Sequence, residues 1–203
     1  MNGTKVIIQE YNGSKKSFRI DAGVLKDIPG LYKWWAKEDL VKELLRNLGY
    51  GDPKFGKNVK FEDLKRDDHF AYDASGTYCC VYVGISDNVL RRIIANHVFG
   101  SMNNSTLRRH IGYIIQNRNP KKPLNNKELK PLIDSVILQM RISISYVVGD
   151  KTDLGNEEKK QINEKLHILN TKDNDYGILH QCGQAKMIKE RLDELKENFL
   201  QSH

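Results

Sequence analysis

The order of strand-like and helix-like segments constrains the fold of this chain more than any single motif. Three segments have the β-branched or aromatic composition typical of strands, and they span residues 31–36, 77–84 and 142–148. An inserted helical region separates the first two, and two or three helices separate the last two. Strands and helices do not alternate regularly. This argues against a doubly wound parallel sheet and predicts an α+β fold, with a small central antiparallel sheet flanked by helices.

Further elements are predicted at both ends of the chain. Residues 6–10 and 16–20 flank Asn12-Gly13, and this dipeptide is a strong signal for a two-residue hairpin turn. Residues 184–200 are predicted to form a helix with charges of mixed sign on its outer face. We therefore expect the 203 residues to form a single domain with an N-terminal β-hairpin and a C-terminal helix.

Helices are predicted between the strands from apolar spacing and from capping residues. Apolar residues recur at helical intervals over residues 38–48 and 156–169. The Asp87-Asn88 pair can cap a helix that runs to Val98, and Ser105 can cap the next one. Shorter or less regular patterns predict a helical turn at 61–64, a strand at 70–72 and a helix at 128–139.

Positive charge is concentrated in one part of the chain. The net charge is +7 and the isoelectric point is near 9.2. Residues 85–122 contain seven basic residues and one acidic residue, which accounts for almost the whole excess. Such a concentration is compatible with a nucleic-acid-binding surface, and a merely solvated basic face is the alternative.

The cysteine content and the hydropathy argue against several classes of protein. Cys79, Cys80 and Cys182 form no Cys-x-x-Cys pair, so we expect reduced, packed thiols rather than a disulfide framework or a zinc site. Mean hydropathy is −0.60, and no apolar stretch approaches the length of a membrane-spanning helix. The N-terminal segment lacks the features of a signal peptide. These observations favour a cytoplasmic protein without a membrane partner.

Two short motifs and three single residues form a pattern that is spread along the chain. Gly30-Leu31-Tyr32 lies on the first predicted strand, and Tyr82-Val83-Gly84 ends the second. Arg92 follows the tyrosine of the second motif by ten residues, on the next predicted helix. Glu158 precedes Asn170 by twelve residues. In order, spacing and secondary-structure context, this pattern resembles the GIY-YIG nuclease family.

The resemblance implies a metal-dependent endonuclease that hydrolyses the phosphodiester backbone of DNA. It implies that Tyr32 holds the attacking water or accepts its proton, with Tyr82 beside it. It also implies that Arg92 donates to a phosphate oxygen. Glu158 would be a hard oxygen ligand suited to Mg²⁺ or Mn²⁺. Asn170 would fix the site through its amide.

The chain departs from the family pattern in two respects. The tyrosines of the two motifs are 50 residues apart, much further than is usual in the family. Many members also carry a histidine or tyrosine four residues after the arginine, where this chain has Asn96, and His97 is one residue further. Because an α-helix turns by about 100° per residue, His97 would point elsewhere unless the helix is locally distorted. An active-site role for His97 therefore stays open beside a surface or packing role.

The resemblance covers residues 28–171 and suggests how the chain is organised. We expect an N-terminal hairpin extension over residues 1–27, a GIY-YIG-like core over 28–175 and a C-terminal helix within 176–203. Insertions into the core are expected at about 33–75 and 99–139.

Four arginines are predicted to contact DNA phosphates: Arg91, Arg108, Arg109 and Arg118. Such contacts would set affinity and salt dependence rather than sequence choice. Two other functions stay open, a catalytically impaired nucleic-acid-binding module on the same fold and a nuclease fold used for protein interaction. A homodimer is also compatible with a chain of this length, because two copies could read a short site.

Overall fold

One antiparallel sheet of four strands lies at the centre of the structure, a computed structural model that describes residues 5–8, 27–49, 60–118, 122–146 and 151–202. The strands are β1 (Lys5–Ile8), β2 (Gly30–Lys37), β3 (Tyr78–Ser86) and β4 (Arg141–Tyr146). Their order in the sheet is β1-β4-β2-β3, and every neighbouring pair is antiparallel. The predicted α+β fold with a small central antiparallel sheet is confirmed.

Helices connect the strands. In chain order they are α1 (Glu38–Gly49), α2 (Phe61–Arg66), α3 (Val89–Arg91), α4 (Thr106–Asn117), α5 (Asn126–Ile137), α6 (Lys151–Glu164), α7 (Tyr176–Leu179) and α8 (Gly183–Ser202). A π-helical stretch, Arg92–Val98, continues directly from α3, and a 3₁₀ turn, Met102–Asn104, precedes α4. No described helix is both long and apolar enough to cross a bilayer.

The helices cover both faces of the sheet. One face carries the main core, to which α1, α4, α5 and α8 contribute; the five apolar residues of α1 that recur at helical spacing are all buried there. The other face carries a smaller core, where Leu154 and Ile162 of α6 meet Leu31, Cys80 and Val83. The sheet is therefore sandwiched between two apolar layers.

Capping residues mark the starts of three helices, and the sequence predicts the first two of these caps. The side chain of Asn88 accepts the backbone N–H of Arg91, and that of Ser105 accepts the N–H of Arg108. Asn125 forms a reciprocal capping box with Glu128 at the start of α5. Each cap satisfies backbone donors that have no partner within the helix.

Two predicted elements differ from the structure. The strand predicted at 70–72 is wrong, since this segment makes one isolated bridge, between Tyr72 and Cys79. The helix predicted over 156–169 ends at Glu164, and the chain then follows the outer edge of β3. There the N–H of Leu169 donates to the carbonyl of Val81 over 2.9 Å. The edge strand needs partners for its backbone groups, and the non-helical chain beyond α6 supplies them where further helix could not.

The chain ends are only partly described. The first strand of the predicted N-terminal hairpin corresponds to β1, which pairs with β4, whereas the second predicted strand lies outside the described residues. At the other end, the predicted C-terminal helix is α8, whose apolar residues belong to the main core. The proposed division of the chain into extension, core and C-terminal helix stays a prediction. All three cysteines are buried free thiols.

Candidate active site

Regular antiparallel pairing places the two motif tyrosines on the same face of the sheet, because Tyr32 and Trp34 lie opposite Gly84 and Tyr82. Trp34 of β2 lies opposite Tyr82, but the next residue, Trp35, lies opposite Cys80, so Val81 is an extra residue in β3. Strict alternation would send Val81 and Tyr82 to opposite faces, and the bulge removes that constraint. Val81 therefore joins Tyr82 in the main core, where the rings of Tyr82 and Tyr32 have centroids 6.4 Å apart.

The glycine of the second motif makes room for the first tyrosine. Gly84 lies directly opposite Tyr32 in the sheet. A Cβ atom at Gly84 would lie 2.6 Å from the hydroxyl oxygen of Tyr32, much closer than van der Waals contact allows. The two motifs are thus parts of one contact, in which a bare backbone accommodates a buried phenol.

The π-helical stretch places His97 in the same cluster. In a π-helix the backbone bonds connect residues five apart, and the N–H of Phe99 donates to the carbonyl of Ile94 over 3.0 Å in this way. The wider turn brings His97, five residues after Arg92, to the side of the helix that faces Tyr32. The local distortion on which an active-site position of His97 depends is therefore present, and His97 is fully buried at the site.

The hydroxyl oxygen of Tyr32 is the point at which these residues meet. Nε2 of His97 lies 2.8 Å from it, and Nε of Arg92 donates to it over 3.2 Å. Arg92 also donates through Nη1 to the carbonyl of Asn104 over 3.1 Å, and Nδ1 of His97 lies 2.6 Å from Oγ of Ser105. The strand residue is thus bound to the π-helical stretch and, through Ser105, to the start of α4.

Burial sets the protonation state of both rings. It raises the pKa of Tyr32 well above its usual value, an effect that Tyr82 strengthens and Arg92 opposes. It lowers the pKa of His97 well below its usual value, and the positive charges of Arg92 and Arg108 act in the same direction. At neutral pH the site therefore holds a neutral imidazole beside a phenol and a permanent cation.

Glu158 lies on α6, which packs against β3. Its side chain is half-buried, and burial raises the pKa of the carboxyl, opposed by Lys172 and by a hydrogen bond from the backbone N–H of Ile85. The carboxylate is close enough to raise the pKa of both Tyr32 and Tyr82. A half-buried carboxylate beside a phenol pair provides one oxygen ligand that Mg²⁺ or Mn²⁺ accepts.

The donor set at Glu158 fits an ion that keeps most of its water. Among the residues that the structure describes, no group of three His, Cys, Asp or Glu side chains converges on one point. A fully protein-ligated ion would need such a group, whereas Mg²⁺ often binds through one or two carboxylates and fills its remaining positions with water and substrate oxygens. Glu158 is the residue that could hold the ion in this way.

Asn170 supports the site from the edge of the sheet. Its side-chain oxygen accepts the N–H of Val83 and its side-chain nitrogen donates to the carbonyl of Val83, both over 2.9 Å. The amide thus replaces a neighbouring strand beside Tyr82. Asn170 is buried. The sequence places it directly after the predicted helix 156–169, whereas in the structure it lies six residues beyond the end of α6.

The four arginines predicted to contact DNA are in different environments. Arg91 is exposed, Arg118 is exposed and paired with Glu43, and Arg109 is half-buried, with Nε donating to the carbonyl of Met102. Arg108 is fully buried.

Arg108, which is predicted to contact DNA phosphates, instead points into the protein. Its Nη1 atom donates to the carbonyls of His97 and Val98 over 2.9 and 3.0 Å, and Nη2 pairs with Asp134 of α5. The guanidinium therefore satisfies carbonyl groups at the end of the π-helical stretch, where the helix supplies no further donors. This contact requires Arg108 to point inward.

Ser105 is the residue at this site that sequence reasoning missed. The sequence identified it only as a helix cap, and the structure confirms that cap. Its contact with Nδ1 of His97 depends on how the π-helical stretch folds back toward α4. No local pattern in the sequence reports that approach.

A protein-family model matches most of the chain. The model of the GIY-YIG catalytic domain matches residues 30–197, from the start of β2 through most of α8. Searches among curated proteins and among solved structures found no match. The matched range includes both tyrosines, Arg92, Glu158 and Asn170, and it spans most of the chain. The chain therefore belongs to the GIY-YIG family of nucleases.

Proposed function

We propose that this protein is a metal-dependent endonuclease that hydrolyses phosphodiester bonds in DNA. The observation that carries the proposal is the convergence of Arg92 and His97 on the hydroxyl oxygen of Tyr32, with the half-buried carboxylate of Glu158 nearby. These groups supply what hydrolysis of a phosphodiester needs: a proton acceptor, a fixed cation and an oxygen ligand for a metal ion.

Tyr32 accepts the proton of the attacking water in this proposal. A phenol is a poor base in its neutral form, and burial raises the pKa of Tyr32 and disfavours the phenolate. The neighbouring guanidinium of Arg92 opposes this effect by donating to the same oxygen. His97 provides a second contact to that oxygen, and together the two side chains hold the phenol in a fixed orientation.

Arg92 also binds the scissile phosphate. A guanidinium carries five N–H donors, more than its contacts with Tyr32, Tyr82 and Asn104 require. The side chain is half-buried, so one edge of the guanidinium can reach a phosphate oxygen. Because protein groups hold the guanidinium at Nε and at Nη1, the Arg92 side chain needs little rearrangement when negative charge develops on the phosphate.

Glu158 is the residue that would hold the metal ion. A bound Mg²⁺ or Mn²⁺ supplies positive charge to the phosphate oxygens and lowers the pKa of a coordinated water. The raised pKa of the Glu158 carboxyl indicates that burial disfavours its ionised form, so a nearby cation would stabilise that form.

DNA is the substrate that the charge distribution favours. The net charge is +7, and the basic residues cluster between residues 85 and 122. The exposed side chain of Arg91, directly beside Arg92, is the best placed of the predicted phosphate contacts, and Arg109 and Arg118 would extend them. A homodimer would let a chain of this size read a two-fold symmetric site, and light scattering of the protein with and without DNA tests that arrangement.

Plasmid nicking tests the proposal directly. Purified protein is incubated with supercoiled plasmid and Mg²⁺ or Mn²⁺, beside the variants Glu158→Ala and Arg92→Ala. We expect relaxed or linear plasmid with the wild type and a loss of about a hundredfold or more in each variant. The matched control is Glu164→Ala, which removes an exposed carboxylate from the same helix and should cleave as the wild type does.

Three other outcomes would each be informative. Cleavage that survives both Glu158→Ala and Arg92→Ala would contradict the site assignment. Salt-sensitive DNA binding without cleavage by the wild type would favour the alternative, a catalytically impaired nucleic-acid-binding module. Cleavage that persists in a chelator would contradict metal dependence.

A further inference from the structure

We infer that Ser105 is a positioning residue that fixes the tautomer of His97, with the proton on Nε2, so that His97 donates its hydrogen bond to the oxygen of Tyr32. The side chains of Ser105, His97 and Tyr32 form a buried row of polar contacts at the active site. Oγ of Ser105 lies 2.6 Å from Nδ1 of His97, and Nε2 of the same ring lies 2.8 Å from the Tyr32 hydroxyl. Ser105 and His97 are both fully buried.

The donors and acceptors around the Ser105 hydroxyl determine which atom donates in the hydrogen bonds that join Ser105, His97 and Tyr32. Within the described residues the hydroxyl has two polar neighbours, the backbone N–H of Arg108 at 3.2 Å and Nδ1 of His97. The backbone N–H can only donate, so it occupies one lone pair of Oγ. The serine proton then has Nδ1 as its acceptor, and Nδ1 must present a lone pair.

The opposite arrangement leaves a donor unsatisfied. If Nδ1 of His97 carried the proton, Oγ of Ser105 would accept both from His97 and from Arg108. Its own proton would then lie in a buried environment without an acceptor among the described residues. A buried donor without a partner is costly, because it has lost its bonds to water. A doubly protonated ring is disfavoured as well, because burial and the charges of Arg92 and Arg108 oppose it.

The tautomer matters for the oxygen of Tyr32. With the proton on Nε2, that oxygen accepts two hydrogen bonds, one from His97 and one from Nε of Arg92, and its own proton is donated to the neighbouring hydroxyl of Tyr82. Two donors stabilise a phenolate, whereas the other tautomer would require Tyr32 to donate to His97. The capping geometry of α4 thus prepares Tyr32 to act as a proton acceptor. This consequence rests on the proposed function, while the tautomer itself does not.

Nitrogen NMR of the full chain tests the tautomer without any activity measurement. Ring nitrogens that carry a proton and those that carry a lone pair differ widely in ¹⁵N chemical shift. With ¹⁵N-histidine labelling, the signals of His97 are assigned by their loss in His97→Gln. We expect Nδ1 of His97 in the wild type to be unprotonated and Nε2 to be protonated; the reverse assignment would overturn the inference.

Variants test whether Ser105 is the cause. Ser105→Ala should shift His97 toward a mixture of tautomers and lower plasmid cleavage by about tenfold or more, whereas Ser105→Thr, which keeps the hydroxyl, should preserve both. The matched control is Asn125→Ala, which removes the cap of α5 and leaves the His97 contact intact. It should change neither readout.

The outcomes separate this inference from the proposed function. Unchanged His97 signals in Ser105→Ala would show that Ser105 is only a helix cap. If Ser105→Ala does not fold, the wild-type spectrum still decides the tautomer. A wild type that shows the expected tautomer but cleaves no DNA would contradict the proposed function and leave the inference intact.

Discussion

Nε2 of His97 lies 2.8 Å from the hydroxyl oxygen of Tyr32, although His97 follows Arg92 by five residues rather than four. In an α-helix, residues four apart share a face, and a residue five apart is turned aside by about 100°. The π-helical stretch Arg92–Val98 removes this offset, because its turns contain one more residue. The apparent departure from the family spacing is therefore compensated within the helix.

Deletion of Ala95 should preserve activity. Ala95 is an exposed residue within the π-helical stretch, and without it the histidine follows Arg92 by four residues, so that a regular α-helix places it on the same face. We expect plasmid cleavage within about tenfold of the wild type, whereas His97→Ala should lose about a hundredfold. A folded deletion variant as inactive as His97→Ala would contradict this account.

The control for that deletion lies in a regular helix. Removing the exposed Glu190 from α8 would rotate Leu192 and Leu195 out of the main core by about 100°. We expect this deletion to lower the melting temperature strongly. That result would show that tolerance of the Ala95 deletion comes from the π-helix and is not a general property of helices.

Gly84→Ala should inactivate the protein without unfolding it. The added Cβ would lie 2.6 Å from the Tyr32 hydroxyl, so the buried phenol must move and its oxygen is displaced from Arg92 and His97. A misplacement of about 1 Å at a reacting group can reduce the rate about a hundredfold. Plasmid cleavage and thermal unfolding are measured together; a fully active Gly84→Ala would show that the close approach has no functional role.

Gly155→Ala is the matched control for that substitution. Gly155 lies within α6, and a Cβ there meets nothing within 4 Å. Alanine in a helix is favoured over glycine by about 0.8 kcal/mol. We expect a more stable protein with unchanged cleavage.

Sequence patterns predicted the parts of this structure that depend on local periodicity. The buried residues of α1 follow helical spacing, and Asn88 and Ser105 mark the starts of their helices. The strands that carry the motif glycines and tyrosines could also be predicted, because strand composition and spacing are local signals.

The remaining features depend on partners that are distant in sequence. The N–H of Leu169 donates to the carbonyl of the bulged residue Val81, and α6 ends at Glu164, so that the non-helical chain beyond it can reach the edge of β3. The π-helical stretch ends where Arg108 binds its carbonyls. A window of neighbouring residues contains none of these contacts, so α-helical geometry was the default expectation for residues 89–98.

Arg108→Met should reduce stability more than DNA affinity. The substitution keeps the length of the side chain but leaves Asp134 and two carbonyls without their buried partner. Asp134 keeps Lys130 as a partner, so the loss comes mainly from the two carbonyls, and a buried polar group left without its hydrogen bond costs about 1–3 kcal/mol. Urea denaturation measures this loss, with exposed Arg91→Ala as the control; unchanged stability with weakened, salt-dependent DNA binding would indicate that Arg108 contacts phosphate after all.

Acidification should destabilise the fold through its buried histidines. Burial lowers the pKa of both His110 and His167 to about 4, with backbone carbonyls opposing the shift. The pKa of an unfolded histidine is about 6.5, so above that pH the imidazole is neutral in both states. Between about pH 6.5 and 4 the unfolded chain binds a proton that the folded chain does not, so stability falls as the pH falls. From pH 6.5 to 5 each histidine should contribute a loss of about 2 kcal/mol.

This loss is measured as the difference in the free energy of unfolding in urea between pH 7.5 and pH 5. His110→Gln should reduce the difference between the two values by about 2 kcal/mol, with exposed His180→Gln as the control. A wild type equally stable at both pH values would contradict the neutral, buried state of these rings.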